Sequence, residues 1–250
     1  MSEPENEKPL GLTSAQILDI LEKGDIIEEH GILRWSSNYA FLVSICYDSL
    51  TVTAVYKPQK GERPLWDFPD GTLCYRERAA FLTSECLGWE IVPPTVLRDG
   101  RRGLGSFQFF IDHDPQINYF SFDDSVTPQL QRIAAFDYLV NNADRKGGHC
   151  LLDEKGHVWG IDHGLTFHTA HKLRTVIWNF DGDTVPDALL CDVERLCAAM
   201  EAPDGAHRKA LGKLLSQAEI NALHARTRHM LRSRRYPTPG PGPNYPWPPV

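Results

Sequence analysis

The sequence lacks both a long apolar run and an export signal. No run approaches the roughly 20 apolar residues that a membrane-spanning helix needs. The N-terminal "MSEPENEKPLGL" is polar and acidic, without the apolar stretch that secretion signals contain. These absences argue against a transmembrane segment and against export, and we expect a cytoplasmic location.

The sequence also lacks an excess of positive charge, because its formal net charge is −7. General nucleic-acid binders carry a basic face, so we expect no nucleic-acid partner. An acidic chain can still hold a locally basic cleft, so the net charge does not exclude anionic small molecules as substrates.

Paired cysteines are absent as well. The chain has six cysteines but no CxxC pair, which argues against a zinc ribbon. We interpret the six as buried or free thiols in a reducing cytosol. No internal repeat is present, and a monomer is our default oligomeric state.

What the chain does have is enough apolar sequence, 42% of 250 residues, for one large domain or two lobes. Strand patterns with one internal helix fill the first half, and helix patterns with a short hairpin fill the second. We therefore predict an α+β protein with a β-rich lobe at 12–112 and a mainly helical lobe at 113–235. A flexible arm at 1–11 and a Pro-rich strap or tail at 236–250 flank them.

Local signals place the elements within these lobes. "IIEEHGILRW", "YAFLVSICY" and "LTVTAVYKP" predict three strands, and "LCYRERAAFLTSECLG" predicts a helix that ends at its glycine. "TPQLQRIAAFDYLVNN" predicts a buried helix capped by Thr127 with Pro128 in its first turn. Ser216 and Glu219 form a capping box for the last helix.

One stretch concentrates possible metal ligands: "NNADRKGGHCLLDEKGHVWGIDHGLTFH", residues 141–168. Asp144 follows a predicted helix, and Asp162 follows the apolar strand "VWGI". A short hairpin lies between them and brings the two carboxylates together. Such a pair suits Mg²⁺ or a phosphoryl-transfer centre, in which one carboxylate binds metal and the other orients the nucleophile.

Phosphoryl transfer from ATP also requires groups in the other lobe. A small polar turn, Ser36, Ser37 and Asn38, lies where a loop could cover the phosphates with backbone amides. Lys57 ends the third strand, and Glu77 lies in the following helix, where it could hold that lysine. Each of these residues alone is more often a turn former or a solvated surface residue.

The remaining groups follow in the expected order. Gln108 and Phe109 lie on a strand that would line an adenine between the lobes. Asp144 comes next, then His149 five residues later, then Asp162 in "DHG". The order of the whole set, rather than any single residue, indicates a kinase.

The motifs resemble those of a known family. "ADRKGGHCLL" and "GIDHGLTF" resemble the catalytic and metal loops of phosphatidylinositol 3- and 4-kinases, above all the bacterial and type II 4-kinase branch. HipA-like kinases share the plan. "KPQKGERPLWDFPDGTL" and "LGWEIVPPTVLRDG" resemble an actinobacterial family placed near these lipid kinases. The resemblance spans roughly residues 12–235.

The resemblance implies a two-lobed atypical kinase fold with ATP and Mg²⁺, or Mn²⁺, as cofactors. Carried over residue by residue, Lys57 would bind the α- and β-phosphates and Glu77 would orient it. Asp144 would be the catalytic aspartate near the acceptor hydroxyl, and Asp162 would be the main metal ligand. Arg145 would steady the loop or the phosphate charge.

The sequence departs from the family at one metal position. His149 stands where these kinases have a metal-binding Asn. An imidazole is a softer ligand than an amide oxygen and suits Mn²⁺ or Zn²⁺ better than Mg²⁺. The phosphate turn also lacks the glycine-rich pattern of protein kinases, so its grip would rest on serine hydroxyls and backbone amides.

Three functions stay open at this point. The first is an active kinase with an unknown acceptor, for which a protein or small molecule is favoured over lipid because no amphipathic basic surface is evident. The second is a nucleotide-binding pseudokinase or regulatory module, which His149 supports. The third is a His/Asp metallohydrolase, whose only tight ligand group outside the loop, "DHD" at 112–114, leaves Lys57 and Glu77 unexplained.

Overall fold

The computed structural model describes residues 11–33, 39–202 and 204–250. Most of the predicted N-terminal arm and the predicted phosphate turn at Ser36, Ser37 and Asn38 lie outside the described residues. The chain groups into two compact units, Met1–Arg63 with Pro94–Phe110, and Pro64–Pro93 with Ile111–Val250. The first is rich in strands and the second is mainly helical, which confirms the α+β class.

The first unit is built on an antiparallel sheet in the order β1-β2-β3-β5-β4, against which helix α1 packs. Its elements are α1 (Ser14–Lys23), β1 (Asp25–Ile32), β2 (Phe41–Tyr47), β3 (Leu50–Pro58), β4 (Thr95–Gly100) and β5 (Gly103–Phe109). Thr13 caps α1 through a capping box with Gln16.

The core of this unit lies between α1 and one face of the sheet. Val52, Ala54 and Tyr56 alternate along β3 as buried residues and pack with the apolar stripe of α1. Because strand side chains alternate between faces, Lys57 points to the opposite face from Tyr56. The packing of the sheet thus determines which way the predicted phosphate-binding lysine points.

The second unit is mainly helical in its described part. Its elements are α2 (Leu73–Leu87), α3 (Thr127–Val140), a two-stranded hairpin of β6 (Cys150–Leu152) and β7 (Val158–Gly160), α4 (Asp187–Glu201), α5 (Ala206–Leu211) and α6 (Gln217–Ser233). The predicted lobe boundary assigned α2 to the first lobe, whereas α2 packs against α4 and α5 and groups with this unit. None of the described helices combines the length and apolar character needed to cross a membrane.

Helix ends mostly follow the predicted signals. α2 ends at Gly88, whose φ of +68° is the left-handed conformation that glycine adopts without strain. α6 begins with the predicted capping box of Ser216 and Glu219. These two local predictions are confirmed.

The predicted cap of α3 is wrong. Thr127 is the first helical residue rather than the cap, and Val126 at the cap position offers no side-chain hydrogen bond. A short 3-10 turn, Asp124–Val126, leads directly into the helix, and the Asp123 side chain accepts a hydrogen bond from its amides. The polar cap therefore serves the preceding turn instead of the helix.

Residues 236–250, which we call the strap, form no helix or strand and lie along the second unit. The carbonyl of Asn244 accepts a hydrogen bond from the Thr175 amide at 3.1 Å. The carbonyl of Pro249 accepts one from the Gly147 amide at 2.8 Å. The Pro-rich segment is therefore an extended strap with a direct bond to the loop that carries Asp144.

Candidate active site

Asp144 lies in the catalytic loop, residues 141–149, between α3 and β6. α3 ends at Asn141, whose left-handed φ of +55° turns the chain out of the helix. The side chain of Asn142 accepts a hydrogen bond from the Asp144 amide at 3.0 Å and donates one to Asp137 at 2.9 Å. The backbone of Asp144 is thus tied to a buried residue of the helix.

The carboxyl group of Asp144 has unusual electrostatics. Its pKa is raised from 3.8 to about 6, mainly by burial and also by the neighbouring Asp162 charge, against the lowering effect of Lys146. Lys146 Nζ lies 3.4 Å from Asp144 Oδ2. A carboxylate with a pKa just below neutrality is both ionised at pH 7 and basic enough to accept a proton.

Arg145 joins the catalytic loop to the end of β7. Its guanidinium is fully buried and forms an ion pair with Asp137 at 2.9 Å. Its Nη1 donates to the carbonyl of His149 at 3.1 Å and to that of Ile161 at 3.0 Å. These are the contacts of the loop-steadying role, the first of the two roles expected for Arg145.

The metal loop, residues 161–164, places Asp162 beside His149. Asp162 has a φ of +59°, a left-handed conformation that aspartate tolerates better than most residues. His149 Nε2 lies 3.5 Å from Asp162 Oδ2. Two ligand atoms that each lie about 2.1 Å from one Mg²⁺ or Mn²⁺ are at most about 4.2 Å apart. The separation therefore fits a shared metal ion.

The tautomer of His149 suits that task. Its Nδ1 lies 2.9 Å from the carbonyl of Asp144, which can only accept, and 3.5 Å from the amide of Lys146, which can only donate. The shorter contact is the stronger one and assigns the proton to Nδ1. The lone pair of Nε2 is then directed toward Asp162. Metal-binding histidines usually donate their other ring N–H to a carbonyl or carboxylate in this way.

Glu77 reaches the metal loop from α2. The side chain is buried, and its Oε2 accepts a hydrogen bond from the amide of His163 at 3.0 Å. His163 in turn lies with its Nε2 at 2.6 Å from Arg145 Nη2. Glu77 therefore holds the backbone next to Asp162, and the pairing of Glu77 with Lys57 stays a prediction.

The predicted nucleotide residues of the first unit divide between the two faces of the sheet. Antiparallel partners share a face, and β3 pairs Lys57 with Ser106 and Val55 with Gln108. Lys57 and Gln108 therefore lie on one face, where Gln108 Nε2 donates to Thr95 Oγ1 at 2.9 Å. Phe109 packs against the core on the opposite face, so its side chain is not brought together with Lys57.

Three further residues of the site escaped the sequence analysis. Asp137 and Asn142 hold Arg145 and Asp144 in place, and Lys146 lies next to the Asp144 carboxylate. The available signal for Asp137 was a carboxylate within "IAAFDYLV", the apolar C-terminal half of α3. Lys146, two residues after Asp144, was visible in "DRK" as a positive charge beside the predicted catalytic carboxylate.

This chain is similar to proteins of known family and known structure. The family model described as phosphatidylinositol 3- and 4-kinase matches residues 101–203, which contain both loops of the site. Protein Rv2133c of Mycobacterium tuberculosis (strain ATCC 25618 / H37Rv) is 38% identical over 253 residues, 87% of this chain and 90% of that protein. The crystal structure of a Helicobacter pylori proinflammatory kinase, CtkA, superposes with a TM-score of 0.44 and 13% identity over 83% of this chain and 97% of that chain.

Proposed function

The chain belongs to the same family as the mycobacterial protein Rv2133c, and its residues 101–203 match the phosphatidylinositol 3- and 4-kinase model; from that premise we propose that it is an ATP-dependent phosphotransferase. The observation that carries the proposal is the joint placement of the two loops. One buried guanidinium, that of Arg145, holds the carbonyls of His149 and Ile161, and so fixes Asp144 relative to Asp162.

Asp162 and His149 would hold the divalent metal. One carboxylate oxygen and one imidazole nitrogen leave most of an octahedral coordination sphere for phosphate oxygens and water. When bound, the metal neutralises negative charge on the transferring phosphate. The imidazole favours Mn²⁺ relative to an asparagine site, so we propose Mg²⁺ with an enhanced response to Mn²⁺.

In the proposed reaction an acceptor hydroxyl attacks the γ-phosphorus of ATP, a new O–P bond forms, and the bond to the β-phosphate oxygen breaks to release ADP. Asp144 accepts the hydroxyl proton, a role that its pKa of about 6 supports. Lys146, whose ammonium lies 3.4 Å from that carboxylate, would attract the departing or arriving phosphate charge. Lys57 would bind the α- and β-phosphates and Glu77 would orient it.

We propose a protein or a soluble small molecule as the acceptor, in preference to a membrane lipid. The net charge of −7 supports this choice, since anionic membrane surfaces attract basic segments and repel acidic chains. Phosphorylation of anionic lipid vesicles, in the absence of any labelled soluble acceptor from a cell lysate, would contradict it.

We also propose a reducing, cytoplasmic environment. All six cysteines are free thiols, and three of them, Cys46, Cys86 and Cys191, are partly or fully exposed. Exposed thiols persist in reducing compartments and tend to be oxidised outside them. Thiol titration of protein from the native cell measures this, and disulfide-bonded Cys86 or Cys191 would contradict it.

The decisive experiment is incubation of the protein with γ-labelled ATP and either Mg²⁺ or Mn²⁺, followed by a search for label on the protein and on lysate components. We expect Asp162→Asn to abolish labelling. Asp204→Asn, at a side chain that is 93% exposed, is the matched control and should label like the parent. Equal labelling by the Asp162 variant would overturn the proposed metal role.

A silent nucleotide-binding module is the second candidate, because His149 replaces the amide that the family uses for metal. Thermal unfolding with and without ATP and metal separates the two. Stabilisation by ATP with no labelled product, in the parent and in His149→Asn alike, would favour the module over the enzyme.

A further inference from the structure

Three potential metal ligands converge between α4 and α6, on elements other than those that carry the two loops. Cys197 and Glu201 lie one turn apart on α4 and therefore share a face. His224 on α6 points toward them, with its Nε2 3.6 Å from Cys197 Sγ and 3.1 Å from Glu201 Oε1. Cys197 Sγ lies 3.6 Å from Glu201 Oε1.

These distances are those of one face of a zinc tetrahedron. Zn²⁺ binds thiolate sulfur at about 2.3 Å and imidazole nitrogen or carboxylate oxygen at about 2.0–2.1 Å. At tetrahedral angles the sulfur then lies about 3.5 Å from each lighter ligand, and the nitrogen and oxygen lie about 3.3 Å apart. The cluster therefore needs only small side-chain shifts to bind the ion.

The donor set and the charges also select zinc. A thiolate is too soft for Mg²⁺ or Ca²⁺, whereas zinc accepts sulfur, nitrogen and oxygen together. One thiolate and one carboxylate cancel the two positive charges of the ion, so the loaded site carries no net positive charge to repel the nearby guanidinium of Arg228.

The burial of the cluster leaves a path for the ion. Cys197 is buried, the His224 side chain is 23% exposed, and the Glu201 side chain is 55% exposed. The sulfur thus forms the floor of the site, while the carboxylate and imidazole flank an opening to solvent. A water molecule can complete the tetrahedron from that side.

We propose that Cys197, Glu201 and His224 bind one Zn²⁺ ion that cross-links α4 to α6. The cross-link would also affect segments outside the two helices. α6 also carries Arg226, which donates hydrogen bonds to the carbonyls of Leu139 and His168 on the segments flanking the two loops. Zinc would therefore stiffen a helix on which both loops rest.

Zinc titration of the metal-free, full-length protein against a chromophoric chelator tests the proposal. We expect one zinc per chain, and we expect Cys197→Ser and Glu201→Gln to weaken binding by more than the about 10- to 100-fold that loss of an outer partner costs. Cys191→Ser, at an exposed cysteine of the same helix, is the control and should bind like the parent. The proposed site is overturned if the parent binds no stoichiometric zinc, or if the Cys197 and Glu201 variants bind zinc as tightly as the parent.

Cobalt substitution identifies the ligand directly. A thiolate-to-cobalt charge-transfer band should appear in the parent and be absent in Cys197→Ser. Glu201 is exposed, so Glu201→Gln tests the site without disturbing the core. Circular dichroism measures whether Cys197→Ser and Glu201→Gln both fold. A band that persists in Cys197→Ser would contradict the assignment.

A last variant separates this site from the phosphotransfer site. Asp162→Asn should keep the zinc stoichiometry and the cobalt band, because Asp162 belongs to the metal loop. Loss of zinc in that variant, with retention in Cys197→Ser, would place the ion at the other site and end the proposal. The zinc stoichiometry and the cobalt band do not depend on phosphotransfer. A negative phosphotransfer assay would therefore leave both measurements unchanged.

Discussion

Replacement of Arg145 by methionine should severely destabilise the second unit. Combined with a second substitution, it separates the role of Arg145 in stability from its role in positioning the two loops. Arg145 and Asp137 are both fully buried, and each offers the other its opposite charge. Burial is the largest single effect on the pKa of Arg145 and lowers it, yet Asp137, together with Cys150 and Asp162, raises it overall. Arg145→Met would leave Asp137 buried with only the amide of Asn142 as a partner.

The expected cost follows from two losses. Breaking a buried ion pair by removing one partner costs about 3–5 kcal/mol. The carbonyl of Ile161 also loses its donor, which costs about 1–3 kcal/mol, while that of His149 keeps the amide of Ile161. The sum, about 4–8 kcal/mol, rivals the whole stability of a typical domain, about 5–15 kcal/mol.

Denaturant unfolding, followed by tryptophan fluorescence and by circular dichroism, measures this loss. Arg234→Met is the matched control, because Arg234 pairs with Asp187 at the surface, where both side chains are more than half exposed. Such exposed pairs contribute about 0–1 kcal/mol. A loss below about 1.5 kcal/mol for Arg145→Met would refute the reasoning, since it would match an ordinary hydrogen bond.

A double variant distinguishes folding from function. Asp137→Leu combined with Arg145→Met removes both charges, and a buried pair replaced by apolar residues is often neutral or stabilising. The double variant should therefore recover much of the stability. It should still lack phosphotransfer, because the guanidinium that links the carbonyl of His149 to that of Ile161 is then gone. Full activity in the double variant would show that loop positioning does not depend on Arg145.

Three further predictions concern metal choice, packing and pH. His149→Asn should raise activity with Mg²⁺ relative to Mn²⁺, because an amide oxygen is a harder ligand than an imidazole. Gly105→Ala should destabilise the first unit by about 1–3 kcal/mol, because the new Cβ would lie 2.5 Å from the carbonyl of Lys57; Gly240→Ala, in open space, is its control. Burial lowers the pKa of His207 from 6.5 to about 4, so the unfolded chain binds more protons between those values, and His207 should contribute a loss of stability of about 2–3 kcal/mol between pH 7 and pH 4.5. The raised pKa of Asp144 acts in the opposite direction over the same range, so the test is the difference between two proteins: His207→Leu should lose about 2–3 kcal/mol less than the parent.

Each of these has a clear contrary result. An unchanged Mg²⁺ to Mn²⁺ activity ratio in His149→Asn would exclude the imidazole as a ligand. Equal unfolding midpoints for Gly105→Ala and Gly240→Ala would show that the strands adjust without cost. An unfolding free energy that varies equally with pH in the parent and in His207→Leu would assign the acid sensitivity to other groups.

Local signals predicted the elements well wherever one residue determines an end. Gly88 ends α2 and the Ser216 capping box begins α6, because both are short-range interactions. α5 likewise ends at Leu211, directly before Gly212, a residue type that disfavours helix. The grouping of α2 with the helical unit depends on packing between distant segments, which a local pattern does not encode.

The candidate site was predictable where the loops themselves carry the ligands. Asp144, His149 and Asp162 come together because a short hairpin connects them. Asp137 was missed because its position on α3 is that of a core residue. The Cys197 and His224 pair was missed because the two residues lie 27 positions apart on different helices.

The strap follows the catalytic loop in the chain by about a hundred residues, so one hydrogen bond of that loop forms late in synthesis. Ribosomes make a chain from its N-terminus, and domains form as they emerge. The amide of Gly147 gains its partner only once Pro249 has been made and released. We therefore expect the catalytic loop of a nascent chain to stay incompletely fixed, and more sensitive to protease, until the strap has left the ribosome. Equal protection of this loop in chains stalled before and after the strap would contradict that timing.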